Sequence, residues 1–352
     1  MYTFNMHKII FPQDELAHNT HVEWWYWNGQ LWDKKGRHYA YMNCLFRINP
    51  KKIKLPLFKR VPLENMYFSH SMVADISRNK FNPRFDYLDL VSNDSFTKKN
   101  LFINYANPMA KTGYLNKAME FKNDNGYYLK NEHLELNLHL IKKPLLEAGK
   151  GLVQLGIKKS YYYSFTNLQT EGLIKIDDKW IPVKGKSWMD HQWANAEFTK
   201  DKWDWFSIQL NNNLELVCYQ YSSGKNKSFL ATLSYPNNRQ TSATRVYITP
   251  KGKPWQSLKT KAEYPVEWQI EIPKFKIEIS AKALVKHQEM VFGTLNYWEG
   301  PLAVQAKVKG KRISGQGFAE LFGYDSVFND RKILKNNLME RLAMRYKKIF
   351  TF

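Results

Sequence analysis

The amino-acid sequence predicts an all-β protein built from antiparallel sheets. Apolar residues alternate with polar ones at period two, most clearly from Leu134 to Leu140 and from Phe275 to Ile279. Turns rich in Gly, Asn and Lys separate these short patterns, and helical periods are scarce before residue 327. Aromatic residues form 15% of the chain, a composition that suits sheet surfaces. Many short strands with such turns favour barrels or sandwiches over a parallel sheet.

Two hairpins are predicted in the second half of the chain. Trp203 to Leu210 and Leu214 to Tyr221 are strand-like and flank a run of three asparagines. Leu302 to Val308 and Ile313 to Phe322 flank a turn at Gly310. We therefore expect antiparallel pairing between neighbouring segments of the chain in this half.

The length of 352 residues allows two domains, each with a full core. A charged segment between Phe198 and Asp201 fits a surface crossing, and we place the boundary there. The expected division is a first domain over residues 1–198 and a second over residues 199–326.

Residues 327–352 differ from the rest of the chain. Leu334, Leu338, Leu342 and Tyr346 recur every four positions, which predicts a short amphipathic helix with a basic opposite face. One interpretation is a helix docked on the second domain. The alternative is a peripheral contact with an anionic membrane surface.

The segment from Gly185 to Trp193 is the first candidate site. If it is a strand, side chains alternate between its two faces. One face would carry Ser187, Met189, His191 and Trp193, and the other Trp188, Asp190 and Gln192. A proton-transfer group beside large aromatic rings suits the handling of an apolar unsaturated molecule. The structural alternative is a buried aromatic pair with a satisfied His–Asp hydrogen bond.

A second candidate segment runs from His21 to Gly29. It places Glu23 directly before four aromatic residues. Burial among tryptophans would raise the pKa of this carboxyl group, because burial disfavours its charged form. The alternative is a solvated or salt-bridged residue at a strand edge. Together, the two segments suggest an apolar cavity with a few ionisable groups in its wall.

These segments resemble the AttH-type, or carotenoid 1,2-hydratase-like, family of lipocalin-like proteins, often labelled predicted secreted hydrolases. The resemblance covers residues 11 to 324 in the family's order. Its specific pieces are Glu23-Trp24-Trp25-Tyr26 and Trp188-Met189-Asp190-His191 with Trp193. Weaker matches are Phe11-Pro12 to Asp14, Ser69-His70 to Asp75, Tyr161 to Ser164, Trp205-Phe206, Tyr297 to Gly300, Glu320 and Gly323-Tyr324.

The resemblance implies two lipocalin-like domains and chemistry on an isoprenoid- or polyketide-like alkene in an apolar cleft. Asp190 is the expected proton donor, His191 the group that orients it, and Glu23 a second carboxylate. We expect these residues and His70 at one cleft near the domain junction. The remaining ligand-binding candidates are Trp24, Trp25, Trp188, Trp193 and Tyr163.

Tyr219 is a further catalytic candidate that the resemblance suggests. The hydratase branch carries a Tyr-x-Asp pair on the strand after the Asp-His-x-Trp motif. This chain has Tyr219-Gln220-Tyr221, so the tyrosine is kept and the acid is absent. This departure argues against carotenoid hydration itself and is compatible with an apolar substrate.

Three classes of function remain open at this stage. The first is an enzyme, a hydratase or hydrolase that uses acid-assisted chemistry. The second is a non-catalytic protein that binds a small apolar ligand, as lipocalin-type barrels do. The third is a structural or export-linked protein whose aromatic clusters are only cores.

Charge and composition limit the expected cofactors and partners. The net charge is +21, yet no nucleic-acid motif accompanies it, so nucleic-acid binding is not expected. Neither a dinucleotide-binding turn nor His and Cys in metal-ligand spacing occurs, and we expect no cofactor and no metal. The two cysteines, Cys44 and Cys218, are expected as buried free thiols, with a single disulfide as the alternative. A monomer is expected.

The N-terminal segment bears on where in the cell the protein is located. Residues 1–14 contain neither an apolar core nor a small-residue cleavage site, so they do not read as a signal peptide. The sequence as given predicts a cytoplasmic protein. A periplasmic location is expected if a leader has been removed, because many relatives look exported.

Overall fold

A computed structural model describes residues 8–53, 65–91, 101–107, 115–122, 126–291 and 296–325. The protein is almost entirely β, with 66% strand and 4% helical residues, as the sequence predicts. The helical residues form short 3₁₀ turns at Gln13–Glu15, Ile76–Arg78, Glu147–Gly149 and Pro273–Phe275. The helix predicted over residues 327–352 lies outside the described residues.

Twelve strands from the first part of the chain form one antiparallel sheet. They are β1 (Val22–Asp33), β2 (His38–Ile48), β3 (Met66–Asp75), β4 (Lys80–Val91), β5 (Phe102–Asn107), β6 (Leu115–Lys122), β7 (Gly126–Lys130), β8 (Leu134–Leu140), β9 (Leu145–Leu146), β10 (Leu152–Leu155), β11 (Lys158–Ile176) and β12 (Lys179–Ala194).

This first sheet closes on itself. Its path runs from β10 through β11, β12 and β1 to β8, and β8 also pairs with the second half of β11. The long β11 serves both ends because its first half pairs with β10 and β9 and its second half pairs with β8. The closed sheet encloses an apolar core that includes Trp25, Trp27 and Met189.

A second sheet uses the later strands. They are β13 (Lys202–Leu210), β14 (Glu215–Ser223), β15 (Asn226–Ser234), β16 (Gln240–Ala243), β17 (Tyr247–Pro250), β20 (Glu267–Ile272), β21 (Ile277–Ala283), β22 (Glu289–Met290), β23 (Tyr297–Val308) and β24 (Lys311–Phe322). A separate two-stranded ribbon joins β18 (Trp255–Gln256) and β19 (Glu263–Tyr264).

Both predicted hairpins are present in the second sheet, as β13–β14 and β23–β24. The β23–β24 turn consists of Lys309 and Gly310, which both have positive φ angles. Such two-residue turns match the twist of antiparallel strands and fix their register. In this register Glu299 lies directly opposite Glu320.

The change of sheet falls between Ala194 and Lys202. The domain boundary between residues 198 and 199 stays a prediction. The outer face of the first sheet packs against the second sheet through Tyr26, Trp188, Trp205, Tyr219 and other buried residues. Cys44 and Cys218 are buried free thiols. Among the described residues, no helix is long and apolar enough to cross a membrane. The contact between the two sheets positions the candidate site.

Candidate active site

The first sheet contributes two rows of side chains that cross five neighbouring strands. The backbone register aligns one row as Ser164, Asp190, Tyr26, Cys44 and His70. The adjacent row, two residues along each strand, consists of Tyr162, Gln192, Trp24, Phe46 and Phe68. Because side chains two apart on a strand share a face, both rows point towards the second sheet.

The second sheet faces them with two rows of its own. One row consists of Glu299, Glu320, Trp205 and Tyr219, and the other of Tyr297, Phe322, Trp203 and Tyr221. Between these walls and the segment around Phe198 lies a cavity of about 180 Å³. Its lining is mainly aromatic, with three carboxyl groups among the rings: Asp190, Glu299 and Glu320. We call these three residues the acid cluster.

Glu299 and Glu320 form the core of the acid cluster. The Tyr26 hydroxyl donates a hydrogen bond of 2.5 Å to Glu299 Oε1, and Trp203 Nε1 donates one of 2.8 Å to Glu320 Oε1. Burial raises the pKa of Glu299 well above its usual value, and the charge of Glu320 adds to the effect. Burial likewise raises the pKa of Glu320 to about 7, with a contribution from Asp190. Two facing carboxyl groups in this setting share a proton near neutral pH.

Asp190 accepts more hydrogen bonds than either glutamate of the acid cluster. Its Oδ1 accepts from Ser164 Oγ at 2.5 Å and from Trp188 Nε1 at 2.6 Å, and its Oδ2 accepts from the Tyr162 hydroxyl at 2.7 Å. Burial raises the pKa of Asp190 to about 7 even though these three bonds lower it. Trp205 Nε1 in turn donates to the Tyr162 hydroxyl at 2.8 Å, which links Asp190 to the second sheet.

A second polar contact joins the two sheets at the cavity. His70 Nδ1 lies 2.5 Å from the Tyr297 hydroxyl, and both side chains are buried. The ring of His70 also stacks on that of Tyr297 at 5.6 Å between centroids. This contact fixes His70 in the cavity wall.

The structure places some of the sequence-predicted residues in this cavity. Trp24, His70, Asp190 and Tyr219 line it. Trp188 stands behind the wall, where its indole N–H orients Asp190. Burial raises the pKa of the Tyr219 hydroxyl, with a contribution from the charge of Glu147, and so keeps it protonated.

The other predicted residues lie on the opposite face, inside the closed first sheet. His191 Nε2 lies 2.9 Å from Glu23 Oε1, and His191 Nδ1 lies 3.1 Å from the Tyr163 hydroxyl. Trp25 stacks on the His191 ring at 4.9 Å, and Trp193 lies 4.8 Å from it between centroids. The prediction that Glu23, His70, Asp190 and His191 share one cleft is therefore wrong. Adjacent residues of β1 and β12 point to opposite faces, which separates Glu23 from Trp24 and Asp190 from His191.

Glu23 belongs to a buried polar network at this opposite face. It also contacts His18 Nδ1 at 2.7 Å and Arg47 Nη1 at 3.3 Å, and His18 Nε2 lies 3.1 Å from Asp14 Oδ1. Burial lowers the pKa of His18, but its bonds to Asp14 and Glu23 outweigh this and raise it to about 9. His18 is thus the positive partner of Glu23.

The same network contains a set of atoms that could hold a metal ion. Ligand atoms of His18, Glu23 and His191 lie within 4.8 Å of one another. Sequence spacing did not suggest this set, because His191 is far from His18 and Glu23 in the chain. Direct hydrogen bonds between the two histidines and the carboxylate already occupy these atoms.

Sequence reasoning missed Glu299 and Glu320 as site residues, although both lie in segments that resemble the family. The signal was available in the β23–β24 hairpin. A two-residue turn at Lys309-Gly310 pairs Val308 with Lys311, and counting back along both strands pairs Glu299 with Glu320.

The fold and the site together define an all-β protein with an acid-lined aromatic cavity between two antiparallel sheets. The chain belongs to the AttH-like family, whose model matches residues 3–324. It is 26% identical over 168 residues to dehydratase asqC of Emericella nidulans, covering 45% of this chain and 48% of that protein. It is 22% identical over 204 residues to kievitone hydratase of Fusarium solani subsp. phaseoli, covering 54% of this chain and 57% of that protein. The chain thus spans about half the length of these curated relatives.

Two solved structures resemble the whole chain. An AttH structure from Nitrosomonas europaea has a TM-score of 0.72 and 24% identity, and covers 90% of this chain and 98% of its own. Kievitone hydratase from Nectria haematococca has a TM-score of 0.68 and 14% identity, and covers 93% of this chain and 96% of its own. At these identities the likeness establishes the fold alone.

Proposed function

We propose that this protein adds water to, or removes water from, an apolar unsaturated small molecule in the cavity between the sheets. The observation that carries the proposal is the acid cluster, three carboxyl groups with raised pKa values in an aromatic wall. The relatives named as a hydratase and a dehydratase act in the two directions of this reaction type. An isoprenoid-like alkene is the substrate class that the aromatic lining favours.

The Glu299–Glu320 pair supplies the proton in this proposal. The protonated carboxyl gives its proton to one alkene carbon, and the π electrons form the new C–H bond and leave a cation on the other carbon. Water adds to that cation, and the resulting oxonium returns a proton to the carboxylate. Dehydration is the same sequence in reverse. A pKa near the working pH suits a group that both gives and takes a proton.

Asp190 and the aromatic rings stabilise the positive charge that forms. The three donors on Asp190 favour its carboxylate form, so above its pKa of about 7 Asp190 is a negative charge beside the cation, and the glutamates carry the proton. The faces of Trp24, Trp205 and Tyr219 each contribute ~0.5–2 kcal/mol to cation stabilisation. In this proposal Asp190 stabilises the cation, whereas the sequence analysis expects it to be the proton donor.

Isotope labelling tests the proposal directly. The protein is incubated with kievitone and with acyclic isoprenoid alcohols such as farnesol, in ¹⁸O-labelled water and separately in D₂O. We expect a product with one labelled oxygen from the first solvent and one carbon-bound deuterium from the second. A substrate that binds and is recovered unlabelled would instead identify the protein as a carrier of apolar molecules.

A further inference from the structure

The charge of the cavity wall is opposite to that of the protein. The whole chain carries a net charge of +21. Among the described residues that line the cavity, three are carboxylic acids, one is histidine, and none is lysine or arginine. A ligand in this cavity therefore meets acidic groups, whereas the outer surface is basic.

Glu299 presents a poorly satisfied acceptor at this place. Its side chain is completely buried, and apart from the proton shared with Glu320 its Oε2 has no hydrogen-bond donor among the described residues. The other oxygen, Oε1, is held by the Tyr26 hydroxyl, so the carboxyl group cannot turn away. A buried carboxylate oxygen without a donor is destabilising unless a ligand or a proton satisfies it.

Aromatic rings surround the glutamate pair. Trp205, on β13, lies opposite Glu320, and Tyr219, on β14, lies opposite Trp205. Tyr26 comes from the first sheet and meets Trp205 edge to face, with 5.6 Å between ring centroids. Carboxylates among aromatic faces form the arrangement that recognises alkylammonium groups.

We propose that the cavity selects organic cations, and that a protonated apolar tertiary amine binds with its N–H on the Glu299–Glu320 pair. The inference rests on the proposed function in placing the ligand in this cavity, and it adds the charge class that the site prefers. The alkyl groups of the amine lie against Tyr26, Trp205 and Tyr219. Such an amine resembles the cation that alkene protonation forms, so it would also compete with the substrate.

The same wall disfavours anionic ligands. A carboxylate or a phosphate in the cavity would lie beside the acid cluster, and none of the described lining residues is a lysine or arginine that could pair with it. The field of the whole protein acts in the opposite direction, because a basic protein attracts anions and repels cations. A preference for a cation must therefore come from the cavity itself.

Three ligands with eight carbons each separate charge from apolar contact: N,N-dimethylhexylamine, 1-octanol and octanoate. At about pH 7.5 the first is a cation, the second is neutral and the third is an anion. Binding to the full chain is measured by calorimetry. We expect the amine to bind at least about tenfold more tightly than the alcohol, and octanoate to bind more weakly than the alcohol.

Paired variants assign the effect to the acid cluster. Glu299→Gln/Glu320→Gln should remove the advantage of the amine and leave the affinity for octanol within about threefold. The control Glu263→Gln/Glu278→Gln makes the same two substitutions at exposed positions and should keep the advantage. If the double cavity variant does not fold, Glu320→Gln alone, at the partly exposed member, should reduce the advantage.

Two results would overturn the inference: octanoate binding as tightly as the amine, or an amine advantage that survives removal of both glutamates. Amine selectivity without any turnover would leave the inference standing and remove the proposed hydration chemistry. Turnover without amine selectivity would leave the proposed hydration chemistry standing and remove the inference.

Discussion

Two buried aspartates show how the surroundings of a side chain set its role. Asp190 accepts three hydrogen bonds and lines the cavity. Asp204 accepts two, from Tyr324 and Gln220, and is not part of the cavity lining. Burial raises the pKa of both carboxyl groups. They differ in whether a ligand can reach them.

Replacement of each aspartate by asparagine separates function from stability. Asp190→Asn should lower kcat by ~10²–10³-fold, because a fixed charge next to the developing cation is lost. Both Asp190→Asn and Asp204→Asn should lower the free energy of unfolding by ~1–3 kcal/mol, because an amide satisfies fewer donors. The measurements are kcat and urea denaturation. A comparable loss of kcat in folded Asp204→Asn would mean that the effect is structural.

At the scale of elements, strand β12 carries two separate sites on its two faces. Asp190 faces the cavity, and His191 faces the interior of the first sheet. His191→Gln should therefore lower the free energy of unfolding by ~1–3 kcal/mol, since the ring contacts with Trp25 and Trp193 are lost, while kcat stays within about threefold. Thermal melting and initial rates on one preparation check this. A folded His191→Gln protein without activity would restore the shared-site interpretation.

The sequence predicts which segments form strands better than it predicts which face of each strand meets the second sheet. The alternation from Leu134 to Leu140 and both hairpins appear in the structure as expected, because these patterns depend only on local burial. In β1 and β12 both faces are buried and aromatic, so alternation cannot tell which face meets the second sheet. Glu299 and Glu320 carry no motif of their own and become a pair only through hairpin register.

At the scale of the whole molecule, several buried groups keep protons that the unfolded chain would release. Burial raises the pKa of Glu15 to about 8 and those of Asp190 and Glu320 to about 7. The bonds of His18 to Asp14 and Glu23 overcome its burial and raise its pKa to about 9. The native state therefore binds more protons than the unfolded state from about pH 4 to pH 9.

Stability should accordingly fall as the pH rises. The contribution of the acids is present in full below their unfolded pKa values of about 4 and is lost as the pH rises through 7 to 8, and that of His18 is lost through about 9. Glu23 opposes this trend, because His18 and His191 lower its pKa against the effect of burial. His38 and His191 also oppose it below about pH 6.5, because burial lowers the pKa of both imidazoles.

The matched variant for this prediction is Glu15→Gln, which mimics the protonated acid. The urea midpoint of the wild type should be higher at pH 5 than at pH 8, measured at about 0.2 M salt to screen surface charge. The variant should depend less on pH over the same interval, because Glu15 no longer titrates. A wild-type midpoint that rises with pH would contradict the assignment of these groups as protonated in the native state.

The central claim is that the Glu299–Glu320 pair transfers a proton to the ligand, and the rate of Glu320→Gln tests it most directly. The variant keeps the size of the side chain and removes its acid. With a substrate identified by isotope labelling, kcat should fall by ~10²–10⁴-fold while the substrate affinity changes by less than about threefold. Exposed Glu263→Gln should retain the wild-type rate. A folded Glu320→Gln protein with wild-type kcat would contradict the claim that the two glutamates act as a pair in proton transfer.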